Sequence, residues 1–345
     1  MKNLKYILFL LFISCQEEIS LDLPQAEEKV VVEGFVENGS PTYIFLTKNL
    51  GIYDPYNQSL LNDLFIRDAD VTVTRQSDGV KKSLTFIELN NDEYGNIALY
   101  ADIEELITAL DTTTNNLEGC CDFAIEGDTY LLEINWNNKL ITATTTIPYS
   151  TKLDCVWVEK SNNSDINYEC DIKAVYDDPS GVQNQVLIQT KRTFHEVVKI
   201  DEESGQYSVI DSADVSYYLG DARSDIIGDG LKFETVFPKP NEDGLPFDFW
   251  SSERVDEESS LSLKGDTVLI KFSQIDEPSY KFWRGLSRQA GTNGNPFAEP
   301  LNLVSNIEGG LGIWTGYGTV YYKIPITPGL VIYQNYVPRN INEVF

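Results

Sequence analysis

Hydrophobic and polar positions alternate through most of the chain, the period-two pattern of half-buried β-strands. Lys29 to Glu37 carries Val30-Val31-Val32, turns at Asn38-Gly39 and returns through Thr42 to Thr47. Asn-Gly between two apolar runs is the strongest short-range hairpin signal. Ala69 to Arg75 alternates through Val71 and Val73, Ser77-Asp78-Gly79 turns the chain, and Lys82 to Glu88 alternates through Leu84 and Phe86. Thr129 to Trp136 and Lys139 to Ile147 flank an Asn137-Asn138 turn, and Gln185 to Lys199 and Gln206 to Ile210 flank the polar run Asp201 to Gly205. Leu231 to Phe237 and Thr267 to Ser273 add further strands. Two stretches change period. Ile103, Leu106, Ile107 and Leu110 repeat at helical spacing behind Asp102, with Glu105 completing a capping box. Tyr280, Trp283 and Leu286 do the same behind Asp276, with Pro278 in the first turn and Gly291 as the stop. The pattern predicts an all-β, mainly antiparallel protein with two short helices. Residues 29–148 read as an immunoglobulin-like β-sandwich and residues 149–345 as a second β-rich, sandwich-like domain.

The first residues follow another pattern. Lys2 and Lys5 precede the apolar run Tyr6 to Ile13, and the small residue Ser14 stands before Cys15. Positive, greasy and small-residue regions in that order predict a secretory signal peptide over 1–14, too short to span a bilayer. Phe12-Ile13-Ser14-Cys15 resembles a bacterial lipobox, in which cleavage leaves Cys15 as a lipidated N-terminus. Acyl chains anchor because each buried methylene adds roughly 0.8 kcal/mol of membrane affinity. An ordinary secreted protein in which Cys15 is incidental is the competing reading. Residues 15–28 form the tether, opening on the acidic Gln16-Glu17-Glu18.

Composition removes several functions. The chain carries 54 acidic and 26 basic residues, a formal charge of −28. Such a surface repels phosphate backbones, so nucleic acid is not expected as a partner. His195 is the only histidine, which rules out a multi-histidine zinc site, and no Gly-x-Ser-x-Gly elbow supplies a serine for a triad. It reads as an exposed strand histidine. Cys155 and Cys170 flank a run that folds about Asn162-Asn163, which sets them opposite one another and predicts a disulfide. The adjacent Cys120 and Cys121 leave their state open. Asp221, Asp225 and Asp229 surround Gly228 and Gly230 and are weak calcium candidates, because the third-position ligand of an EF-hand is missing. No metal or cofactor is expected. Carboxylate pairs are too numerous by chance to point to glycoside cleavage.

Three stretches carry a resemblance: Cys15-Gln16-Glu17-Glu18-Ile19 through Val30-Val31-Val32-Glu33-Gly34, the turn Asp177-Asp178-Pro179-Ser180-Gly181, and Asn295-Pro296-Phe297-Ala298-Glu299-Pro300 followed by Ser305 to Gly312. Together they resemble the Bacteroidota outer-membrane lipoproteins grouped as domain-of-unknown-function family four-two-four-nine. That resemblance implies a surface lipoprotein, lipid-anchored in the outer membrane and facing the exterior, encoded beside TonB-dependent transporters. It implies no activity. Asn295, Pro296, Phe297, Asn306, Gly309, Gly310 and Trp314 form a candidate binding or locking segment; glycines that allow close approach and two aromatic anchors favour a structural lock. No Lys-Ser or Lys-Thr follows the glycines, which excludes a phosphate loop. The expected function is therefore non-catalytic, as accessory or ligand-capture partner of a TonB-dependent barrel. A structural or assembly subunit of an outer-membrane complex, or a hydrolase using carboxylates or calcium, are the alternatives.

Overall fold

The computed structural model describes residues 27–49, 64–91, 95–111, 117, 120–162, 164–201, 204–213, 221–224, 229–239, 248–290 and 303–344. Cys15, the signal region and most of the tether therefore lie outside the described residues, as do Asp225, Asn295, Pro296 and Phe297. The first half holds β1 (Val30–Glu37), β2 (Tyr43–Lys48), β3 (Asp70–Arg75), β4 (Lys81–Asn91), β5 (Gly95–Ala101), α1 (Ile103–Leu110), β6 (Thr129–Trp136) and β7 (Lys139–Thr146). The second holds β8 (Cys155–Lys160), β9 (Glu169–Asp177), β10 (Gln185–Asp201), β11 (Gln206–Ala213), β12 (Asp221–Ser224) and β13 (Lys232–Val236). Three short strands follow, β14 (Trp250–Ser251), β15 (Arg254–Val255) and β16 (Ser262–Leu263), and then β17 (Thr267–Gln274), α2 (Glu277–Ala290), β18 (Ile307–Glu308), β19 (Leu311–Pro325) and β20 (Val331–Ile332). The protein is all-β and mainly antiparallel.

Local chemistry accounts for the elements the pattern predicts. Asp102 caps α1, its carboxylate accepting from the backbone N–H groups of Glu104 (3.0 Å) and Glu105 (3.2 Å). Asp276 caps α2 by accepting from Ser279 N–H at 3.0 Å.

Two sheets meet face to face. The larger runs β11-β10-β17-β19-β1-β2-β5-β4-β3-β6-β7-β18, with β12 also on β10; the smaller runs β13-β9-β8-β20, with β14 on β9. β4 passes from one part of the large sheet to another, since Lys81 to Leu84 pair with β3 and Thr85 to Asn91 with β5. The large sheet thereby folds over a core of Val32, Ile44, Val73, Tyr130, Ile134 and Trp314. Its other half, β10, β17 and the end of β19, packs Ile188, Ile270, Phe272 and Tyr322 against Val156, Ile172 and Trp250 of the smaller sheet.

β19 joins the two halves. Leu311 to Tyr317 pair in parallel with Val31 to Glu37 of β1, and Gly318 to Pro325 pair antiparallel with β17. The strand is bare where the end of β7 crosses it. A Cβ on Gly316 would stand 2.5 Å from Thr146 O, and one on Gly318 2.1 Å from Pro148 O. That approach brings the Thr145 hydroxyl within 2.8 Å of Gly316 N–H, which donates to it, and Thr145 in turn donates to Asp276 at 2.7 Å.

Buried charges hold the strands around β19 in place. Glu37 on β1 pairs with Lys271 on β17 and accepts from the Tyr321 hydroxyl on β19 at 2.5 Å, while Lys271 Nζ lies 4.7 Å from the centre of the Tyr317 ring. Arg192 and Asp266, neither with any exposed side-chain surface, pair at 2.8 Å across β10 and the start of β17.

Two expectations are corrected. Cys155 and Cys170 are free, because β8 pairs with β9 in a different register: Cys155 faces Val175 and Cys170 faces Lys160. The expected register places Val156 opposite Glu169 and Val158 opposite Asn167. The observed one differs by an odd number of residues, so Val156 and Val158 enter the core beside Ile172 and Ala174. The disulfide is instead Cys120–Cys121, packed beside Leu117, Tyr321 and Ile341. His195 is buried rather than exposed, with Nδ1 2.5 Å from Asp211 on the facing strand and its carbonyl accepting from Arg254.

Gly316→Ala should destabilise the fold by about 1–3 kcal/mol, because backbone stands where the methyl must go. Urea unfolding reads this, and an unchanged midpoint would contradict the crossing described. In a Cys15→Ser form denatured without reductant, thiol titration should find two free thiols. Native alkylation should reach Cys155 ahead of Cys170, whose thiol burial pushes up and encloses.

Candidate functional site

A cleft of about 530 Å³ opens where the chain leaves β7. Each wall has an identifiable support. The first, Thr146 to Thr151, is anchored by Gly127 N–H donating to Ile147 O at 2.7 Å and Ile147 N–H donating to Asp128 O at 3.0 Å. The second, Pro179 to Gln185, hangs on Asp178. This buried carboxylate accepts from Gly230 N–H at 3.0 Å and from the Asn184 amide at 3.2 Å. The third is the end of β17 and the start of α2, Gln274 to Glu277. Ile275 N–H donates to Gln185 O at 2.9 Å, and Asp276, by capping α2 and accepting from Thr145, joins this wall to β7.

The lining is apolar below and amide-bearing around. Ile147, Val182 and Ile275 give aliphatic surface, and Pro148, Pro179 and Tyr149 give ring faces. Tyr149 is 74% exposed and lies over Gly127, where an added Cβ would come within 2.4 Å of its hydroxyl. Gln183 is exposed at the rim, and no lysine or arginine stands among the lining residues. Gln274 donates through Nε2 to the Tyr176 hydroxyl at 3.1 Å, a phenol that burial pushes up to about 12. Gln185 is buried beside it, and its carbonyl accepts from Ile275 N–H. An apolar cleft with a few convergent polar groups is the usual form of a small-molecule site.

The residues singled out in the sequence go elsewhere. Asn306 clamps Trp314, its Nδ2 donating to Trp314 O at 2.7 Å and its Oδ1 accepting from Trp314 N–H at 2.9 Å. Trp314 is fully buried and donates through Nε1 to Tyr130 O at 3.1 Å. Gly310 approaches Val30 O, and Gly309 the backbone of Leu140. These four residues hold β18 and β19 to the first core and do not line the cleft. Asp221 begins β12, and the Asp229 carboxylate accepts from Gly181 N–H at 2.7 Å. No group of three or more His, Cys, Asp or Glu side chains is arranged for a metal among the described residues. His195 borders a separate opening with Glu253 and Lys264.

A family model described as Domain of unknown function (DUF4249) matches residues 16–322. The chain belongs to this family. No curated protein matches it. In this DUF4249 chain the matched span includes every wall of the cleft. The sequence marked one wall through Asp177 to Gly181 and another through the Asp276 cap. It did not mark Tyr149, Gln183, Gln185 or Gln274, which belong to separate stretches and follow no spacing rule.

Asp178→Ala removes the buried acceptor of Gly230 N–H and of the Asn184 amide and should lower stability by about 1–3 kcal/mol in urea unfolding. An unchanged midpoint would mean that these bonds do not hold the second wall.

Proposed function

We propose that this protein is a non-catalytic lipoprotein of the outer membrane, anchored through Cys15 and facing the cell exterior, where it serves a TonB-dependent transporter by holding that transporter's ligand in the cleft. The observation that carries the reading is the order of Lys2, Lys5, the apolar run to Ile13, Ser14 and Cys15 directly ahead of the span matched by the family. The cleft supplies a place for cargo, and the resemblance of Ser305 to Gly312 and its neighbours to outer-membrane lipoproteins supports the transporter as partner. A lipid anchor would keep the body beside a membrane neighbour and raise its effective concentration there.

Cys15→Ala should abolish incorporation of labelled fatty acid and move the protein from the outer-membrane fraction to the soluble one. Gentle detergent extraction of the wild type followed by affinity capture should recover a TonB-dependent barrel. Unaltered fractionation of Cys15→Ala with no acyl group found by mass spectrometry would overturn the anchor, and repeated capture without a barrel would overturn the partner.

A further inference from the structure

We propose that α1 is a docking helix, whose outward stripe of Ile103, Ile107 and Leu110 seats in an apolar groove edged by lysine or arginine on a protein partner; that this partner is the transporter rests on the reading proposed above. The helix faces the wrong way for one that only completes a core. Its buried face is Glu105 and Ala109, with Leu106 half-buried against the cluster of Leu117, Cys121, Tyr321 and Ile341, while Ile103, Ile107 and Leu110 are 39%, 64% and 40% exposed. At 3.6 residues per turn, the apolar stripe is centred roughly a third of a turn from the buried face. A helix free to roll would bury the aliphatic side chains and release the acid, since full burial of one such side chain contributes about 1.5–3 kcal/mol. Charge holds it where it is. Lys82 on β4 pairs with Asp102 at 2.6 Å and with Glu105 at 3.5 Å, and Asp102 also caps the first turn. A buried carboxylate is costly without its cation, so Glu105 stays beside Lys82 and the stripe stays outside.

The charges beside the stripe select its occupant. Glu104 and Asp111, both exposed, run along its other side, and Asp102 to Asp111 contains no lysine or arginine. A basic-edged groove answers both features, because aliphatic residues at i, i+4 and i+7 anchor a helix laid in an apolar groove and opposite charge fixes its register. A second copy of the protein fits badly. Two α1 helices packed together would set Glu104 and Asp111 against the same carboxylates, and helices about 12 Å long cover far less than the roughly 800 Å² per partner of a stable interface. A lipid surface fits no better, since helices that lie on membranes carry lysine and arginine on their polar face and anionic headgroups repel acids.

The test is site-specific photo-cross-linking in cells that make the full-length lipoprotein. A benzoylphenylalanine is placed at Ile103, Ile107 or Leu110 in turn, with Tyr333, 74% exposed just after β20, as the control position. The three α1 positions should give adducts with one partner protein, mapped beside its lysines or arginines, and Tyr333 should not. Ile107→Ser should lower the adduct yield from position Ile103 roughly tenfold, and Glu104→Lys should lower it as well, both with little change in melting temperature because both side chains are exposed. The inference is overturned by adducts only with lipid or with a second copy, by adducts that map beside acidic residues, by no adduct from α1, by the same adducts from Tyr333, or by a yield that Ile107→Ser leaves unchanged. An α1 adduct with a partner that is not a barrel removes the transporter alone. Capture of a barrel by Ile107→Ser at the wild-type yield removes the docking helix alone.

Discussion

The Thr145 hydroxyl accepts from Gly316 N–H at 2.8 Å and donates to the Asp276 carboxylate at 2.7 Å, so two bonds tie together β7, β19 and the start of α2. The hydroxyl is in reach only because β19 has no side chain at the crossing, and a methyl on Gly316 would meet the Thr146 carbonyl. Asp276 has a second duty, since its other oxygen caps the helix. A charge-assisted bond of this kind is roughly twice as strong as a neutral one. The cleft inherits its geometry from this arrangement, because its first and third walls are the segments that Thr145 and Asp276 draw together.

Elsewhere charge fixes register rather than shape. Glu37, Lys271 and Tyr321 lie on three neighbouring strands, and displacement of any one strand would strand a buried carboxylate or ammonium. Removing one partner of such a pair costs about 3–5 kcal/mol, whereas replacing both by apolar residues can be neutral. Buried pairs of this type therefore argue for one specific alignment of β1, β17 and β19 more than for extra stability. Arg192 and Asp266 do the same for β10 and β17.

Features set by neighbouring residues could be read directly from the sequence. The hairpin about Asn38-Gly39, the β10–β11 pair and both helix caps rest on nearby residues and short-range hydrogen bonds, and they stand as the pattern predicts. The β8–β9 register was hidden because either alignment closes a hairpin. Only the smaller sheet's core decides which face Val156 and Val158 take. The pattern does not announce β19, since Gly312, Gly316 and Gly318 break the alternation that marks a strand. The lock was legible in Asn306 and Trp314. The cleft was not, because its residues meet only after the sheet has formed.

The parallel pairing of β1 with β19 also sets a timetable. Asn38 and Thr319, joined through side-chain bonds to backbone, are 281 positions apart. The earliest described strand of the chain thus waits with one edge open until nearly the last has been synthesised. Contacts between such distant segments form slowly, since a long loop must close before they stabilise anything. A chain with this topology completes its fold only when its synthesis is nearly finished, and until then the Val30–Glu37 edge needs shielding from other unfinished chains.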